Sequence, residues 1–227
     1  MTAKRPDNTR PLSYVLLRKY GLAGALQVLR DDVGFDLRHR VNTALPVPRR
    51  RLYPPGSRHE QNRYVPSTFG VMEGVLRRAS ELLDIGSCGF VDYGSGKGKS
   101  LIAAARHPFR SVRGVEISER LHRTAERNIR ALGLGDRVSL VAGSATDLAL
   151  LPHERVLYLF NPFTGDVLER VLGRIAGARR DGPGLLIYVN PTESAQVRAR
   201  FEPIGHDFIE PGHCEVVYYA LPEGGCA

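Results

Sequence analysis

Between Gly89 and Ser118 the chain reads GFVDYGSGKGKSLIAAARHPFRSVRGVEIS. The residues there able to do chemistry are two carboxylates and three glycines at alternate positions. Asp92 ends an apolar strand pattern (Phe90, Val91), Gly94, Gly96 and Gly98 follow, and Glu116 closes a second strand pattern from Val112 to Val115. With a helix-forming run opening at Lys97, this reads as a βαβ unit whose first turn borders a nucleotide-type crevice. Spacing separates three glycine-turn chemistries. A dinucleotide fingerprint, G-x-G-x-x-G, needs its third glycine at position 99, which is Lys99. A phosphate-binding P-loop finds its tail in Gly98, Lys99 and Ser100, but Tyr93 stands where its leading glycine belongs. What fits is Asp92-x-Gly94-x-Gly96-x-Gly98. Its glycines let the backbone approach a ligand, and its carboxylate repels a pyrophosphate and favours a cation. Glu116 lies 24 residues after Asp92. That is close to the roughly 20 residues typical of a ribose-binding acid, which accepts from both ribose hydroxyls.

The stretch Asp92-Tyr93-Gly94-Ser95-Gly96-Lys97-Gly98, with Glu116 following, resembles motif I and the acidic position of class I S-adenosylmethionine-dependent methyltransferases. It is also similar to the first motif of the non-SET histone lysine methyltransferases and their bacterial relatives. Asp36 to Thr43 (DLRHRVNT) is similar to a stretch those relatives carry upstream of the core, and is otherwise read as a loop. The resemblance implies S-adenosylmethionine as cofactor, held by Asp92, Gly94, Ser95, Gly96, Gly98 and Glu116. It implies adenine contacts at the end of the third strand, at Ser144 and Ala145, with Asp147 as the alternative acid. Tyr64, in the loop before the first domain helix, becomes a wall of the methionine pocket. Asn161-Pro162-Phe163 resembles the N-P-P-[YF] signature of amino methyltransferases, less its second proline. By that resemblance the Asn161 side-chain carbonyl and the Pro162 backbone carbonyl accept hydrogens from an amine, while Phe163 faces the developing cation.

The elements that must position these residues alternate along the chain. Phe69, Met72, Val75, Leu76, Ala79, Leu82 and Leu83 keep helical spacing, with Ser67 or Thr68 as N-cap and Gly86 as the stop. After Glu116 come a helix (119–132), a strand (137–141) and a turn at Gly143-Ser144-Ala145. The strand RVLYLF (155–160) runs into Asn161. A helix (165–178), a strand (185–189) and a further helix to about Arg200 follow. Two strands (208–210 and 215–221) close the chain. The alternation predicts a parallel sheet, with ligands at its strands' carboxyl ends. With the resemblance, the expected fold is α/β: a Rossmann-like seven-stranded sheet, helices on both faces and a C-terminal antiparallel hairpin. An N-terminal helical arm with a Pro/Arg-rich linker (1–66) precedes the methyltransferase domain (67–227).

The charge of the 227-residue chain is unevenly placed. Of the net charge of +8, residues 1–86 carry 15 Lys/Arg against 8 Asp/Glu, whereas residues 87–227 carry 17 against 16. Arg49-Arg50-Arg51, Arg58 and Arg63 suit a polyanion, an acidic substrate face or plain solvation. No apolar run approaches the roughly 18 residues of a membrane span, and the opening MTAKRPDNTRP lacks a signal peptide's apolar centre, so a cytoplasmic protein is expected. Cys88, Cys214 and Cys226 share no metal-ligand spacing, and no metal is expected. Within the methyltransferase reading a protein lysine, a small metabolite and a nucleobase all fit as acceptor. Two other classes compete: a P-loop-like nucleotide hydrolase, weakened because Asn161 stands where a magnesium-binding Asp is needed, and a non-catalytic protein that binds S-adenosylmethionine or nucleic acid.

Overall fold

The computed structural model describes residues 12–45, 47, 52, 66–211 and 213–223. Tyr64, Arg49 to Arg51, Arg58, Arg63 and Cys226 lie outside the described residues. The body is a seven-stranded sheet in the order β3-β2-β1-β4-β5-β7-β6. Its strands are β1 (Gly89–Tyr93), β2 (Ser111–Glu116), β3 (Val138–Ala142), β4 (Glu154–Phe160), β5 (Gly184–Val189), β6 (Pro203–Ile209) and β7 (Cys214–Leu221). The first five run parallel; β7 joins β5 antiparallel and β6 pairs with β7 alone. The parallel part is the sheet the alternation predicts, and the whole is the Rossmann-like seven-stranded fold with an antiparallel end that the resemblance implies. Its order reverses between β1 and β4, where the two halves diverge and leave a crevice at the strands' carboxyl ends.

Strand periodicity divides the core into two layers. Phe90, Val112, Val156 and Tyr158 face α3 (Phe69–Leu82), α4 (Lys99–Ala104) and α5 (Glu119–Ala131). Val91, Val115, Leu157 and Leu159 face α6 (Gly165–Gly177) and α7 (Ser194–Arg198). Helix α3 is capped by Thr68, whose hydroxyl accepts from Val71 N (3.2 Å). Its end differs from the expected stop at Gly86: Leu83 turns extended, and Asp84 captures Gly86 N (3.1 Å) in a short 3-10 turn leading into β1. A short polar side chain competing for backbone donors ends the helix here. Strand β6 starts five residues earlier than the sequence pattern gives. Pro203 and Gly205 mask it, and both are tolerated because β6 is an edge strand.

The N-terminal segment begins with α1 (Leu12–Val28), which breaks at Gly21 (φ 65°). One π-helical turn, 29–33, joins it to α2 (Gly34–His39). The DLRHRVNT stretch is more than a loop: Asp36 ends its chain of bonds in the interior. Its carboxylate accepts from Thr43 N, Thr43 Oγ1 and Ala44 N, all at 2.7 Å, folding 40–45 into a tight return. Among the described residues no helix is long and apolar enough to cross a membrane.

Candidate active site

The turn after β1 is built by glycine conformation. Gly94, Gly96 and Gly98 have φ of 88°, 55° and 82°, a region L-residues with a Cβ enter at a cost of about 1–2 kcal/mol. Gly98 therefore cannot continue a helix, and α4 opens at Lys99 rather than at Lys97. The amides of Gly94 and Ser95 both bond Val115 O (2.9 and 3.0 Å), tying the turn to β2. Glu116 completes the link. One carboxylate oxygen accepts from Gly96 N (2.9 Å) and the other from Ser118 N (2.7 Å). Burial pushes the Glu116 carboxyl above its ordinary range, and these backbone donors pull against that shift. With Ile117 as a third backbone donor, the carboxylate's four lone pairs leave an acceptor site for a ribose hydroxyl.

Asp92 is buried beneath the turn, not displayed on it. Its carboxylate accepts from the Ser100 hydroxyl on α4. Burial raises its pKa to about 7; the Ser100 bond opposes that, and the neighbouring Glu116 charge adds to it. A cation in the crevice would favour the ionised form through a medium with little screening.

The other two strand ends reach the same edge. Gly143 N bonds Glu116 O (3.0 Å), so the turn after β3 sits beside the β2 acid. There Ser144 caps a 3-10 turn, accepting from Thr146 N (3.2 Å) and pairing with Thr146 Oγ1 (2.7 Å), while Asp147 is exposed and accepts from Thr146. Ala145 follows Ser144 at half-buried depth. After β4, Pro162 lies against the first turn so closely that a Cβ on Gly94 would stand 2.8 Å from Pro162 Cβ. Asn161 adopts a left-handed conformation (φ 39°), which asparagine tolerates better than most residues. Its Oδ1 accepts from Thr192 Oγ1 (2.9 Å) and stands 3.5 Å from the Tyr188 hydroxyl, two residues that fix the amide's direction.

Phe163 departs from its expected role. It is buried in the apolar layer with Leu168 and Leu172 of α6, so it anchors the turn from behind and does not face a reacting cation. Asn161 and Phe163 both lie beyond the end of β4, where the left-handed Asn161 breaks the strand and α6 packs over the Phe163 ring.

Residues the motif search passed over are prominent here. Lys99, the lysine of the P-loop-like tail, is 4% exposed and paired with Asp32 of the N-terminal segment; Asp32 also accepts from Phe69 N (3.1 Å). Burial drives the Lys99 ammonium down and the Asp32 carboxyl up, and the pair relieves both. A P-loop lysine must reach its ligand's phosphates, which Lys99 does not. Lys97 reaches Asn42 Oδ1 (2.6 Å) and Leu45 O (2.8 Å), and burial lowers its pKa to about 8. Asn128 of α5 clamps the same segment through Asn42 N (3.0 Å), Asn42 O (3.1 Å) and Lys97 O (2.9 Å). Ile117, 43% exposed beside Glu116, leaves an apolar surface at the crevice rim. Lys97, Lys99 and Asn128 have no local sequence signal for these pairings, because their partners stand 31 to 86 residues away.

The site suits an adenosyl cation in its chemistry. The glycine cradle has no room for side chains, Glu116 offers ribose acceptors, Ile117 offers an apolar face for a base, and a buried acid lies below. Among the described residues no three His, Cys, Asp or Glu gather to hold a metal ion.

Comparison with known proteins agrees. The methyltransferase domain family matches residues 90–182. Among solved structures, the chain is similar to an RNA methyltransferase from Salinibacter ruber in complex with S-adenosyl-L-homocysteine. The two are 21% identical, with a TM-score of 0.51 over 70% of this chain and 95% of that one. It is also similar to a SAM-dependent methyltransferase from Aquifex aeolicus, at 14% identity and a TM-score of 0.55 over 66% of this chain and 89% of that one. No curated protein matches it in sequence. Residues 90–182 match a methyltransferase domain, and methyl transfer from S-adenosylmethionine is the activity class of the protein.

Proposed function

We propose that the protein transfers the methyl group to an amine nitrogen, of a protein lysine or of a small metabolite. The observation that carries this reading is Asn161: an asparagine held left-handed at the end of β4, beside the glycine turn, its carbonyl oriented by Thr192 and Tyr188. Asp92, Gly94, Ser95, Gly96, Gly98 and Glu116 hold the donor, with Ile117, Ser144 and Ala145 toward its base. Tyr64, outside the described residues, keeps its place in this reading as a wall of the methionine pocket. Bound there, S-adenosylmethionine supplies an electrophilic methyl on a cationic sulfur. Displacement at such a methyl is in-line and needs little covalent help, so this chain contributes position and exclusion of water. The Pro162 carbonyl accepts one hydrogen of the amine, and Asn161 Oδ1, keeping its bond from Thr192, accepts the other in place of the long Tyr188 contact, which turns the amine lone pair toward the methyl. As the new carbon–nitrogen bond forms, the methyl's bond to sulfur breaks with its electron pair left on sulfur, and one amine proton leaves to solvent. Closer kinship with the non-SET histone lysine enzymes rests on the Asp92–Gly98 motif. The division into a basic arm (1–66) and a catalytic domain (67–227), in a cytoplasmic enzyme, belongs to the same reading, with residues 32–45 serving the domain's first turn. A nucleobase amine is the second reading, favoured by the cationic rim of α5 beside Lys97.

The test is a tritiated-methyl assay on cell lysate separated into protein, nucleic acid and small molecules, repeated with Asn161→Ala. Label should enter one fraction as N-methyl. The variant should lose about 100-fold in turnover, the scale of a misplaced reactant, while binding S-adenosylhomocysteine within about 3-fold of the parent. Full turnover by Asn161→Ala, or label on oxygen or carbon, refutes the assignment.

A further inference from the structure

A second cavity, of about 410 Å³, opens on the outer side of the glycine turn. Its walls are the first three turns of α5, Lys97, and the returning segment at Asn42 and Val47. The cavity is a built feature: Asn128, 3% exposed, holds the Asn42 segment and the Lys97 backbone together at its base. Among the described residues four cations line it, Lys97, Arg120, Arg123 and Arg127, against one carboxylate, Glu119, which is taken by Arg123. Arg120 and Arg127 are exposed and, among the described residues, form no ion pair; Arg127 meets only the Thr124 hydroxyl, at 3.2 Å. Seven residues of helix separate them, so they stand on nearly one line about 10 Å apart. The other acid of this helix, Glu126, is turned toward His122 (3.5 Å) and lies outside the cavity.

Unpaired guanidiniums in a row, in a recess of surplus positive charge, are suited to successive phosphates, which they bind through forked, charge-assisted bonds. In sequence, Arg49, Arg50 and Arg51 follow Val47 after a single proline. We propose that this cavity is a docking site for the phosphodiester backbone of a single-stranded nucleic acid, with Arg120 and Arg127 as its principal contacts. The site does not depend on the methyl-transfer reading, because strand binding is measured without donor.

The experiment is a fluorescence-anisotropy titration of the full chain with a labelled RNA of about 20 nucleotides over a range of KCl concentrations, for the parent and for the double variant Arg120→Gln/Arg127→Gln. For single strands the slope of log K against log salt is about −0.7 per phosphate neutralised. The parent should show a slope of about −2 or steeper, and the variant a slope shallower by about 1.4, with affinity at low salt reduced about tenfold or more. A melting temperature within about 2 °C of the parent's shows that the variant folds. An unchanged slope and affinity in the variant overturns the proposal, as does a parent that shows no salt-dependent binding. Displacement of the RNA by polyglutamate at equal charge concentration assigns the cavity to an acidic protein and likewise overturns it.

Discussion

Gly94→Ala tests whether the β1 and β4 turns share one wall of the donor pocket. Two separate costs are visible. At φ 88° an alanine carries the left-handed penalty of about 1–2 kcal/mol. The added Cβ also falls 2.8 Å from Pro162 Cβ, inside any normal carbon contact, and Pro162 is a rigid ring that cannot rotate away. Overpacking of this kind adds about 1–3 kcal/mol. The sum, about 2–5 kcal/mol, is a large part of a domain's usual 5–15. Relief requires the two turns to part, which moves the donor cradle away from Asn161. Gly133→Ala is the matched control: its φ is 66°, but its Cβ would meet nothing within 4 Å, so only the backbone cost applies. Urea unfolding and calorimetry with S-adenosylhomocysteine read both effects. Gly94→Ala should be less stable than Gly133→Ala by the overpacking increment and should bind the ligand about tenfold or more weakly; Gly133→Ala should bind as the parent does. If the two variants are equally stable and Gly94→Ala binds normally, the shared wall does not exist.

Two further outcomes follow from buried charge. Asp92 has its pKa raised to about 7 by burial, so the unliganded fold favours its protonated form; that stability is full below the ordinary carboxylate pKa and declines as pH rises from about 4 to 7. A cationic donor prefers the ionised form, so affinity for S-adenosylmethionine should rise about tenfold between pH 6 and pH 8 and should be flat across that range in Asp92→Asn; a parallel slope in both proteins removes Asp92 as the titrating group. For the Asp32–Lys99 pair, Asp32→Asn alone leaves a buried ammonium uncompensated and should cost about 3 kcal/mol in urea unfolding, while Asp32→Asn/Lys99→Met should recover part of that loss. Strictly additive losses mean the two residues do not act as a pair.

The first turn was legible because local geometry demands particular residues. Glycine takes the positive φ angles at 94, 96 and 98 at the least cost, and an acid at the end of β2 must stand at a fixed remove from them, so type and spacing separate this turn from a P-loop or a dinucleotide turn. Element order followed from periodicity for the same reason, except where an edge strand could admit Pro203 and Gly205. What sequence could not disclose is which charged side chains turn inward. Lys99 looks like a phosphate ligand until Asp32, 67 residues away, closes on it, and Phe163 looks like a cation partner until α6 covers it. The N-terminal segment reads as an arm, and in the structure Asn42 and Asp32 tie it to Lys97 and Lys99 at the turn that defines the domain. Backbone conformation is decided by neighbours in the chain and is written there. Burial and charge pairing depend on segments brought together only by folding, and the tertiary structure alone decided them.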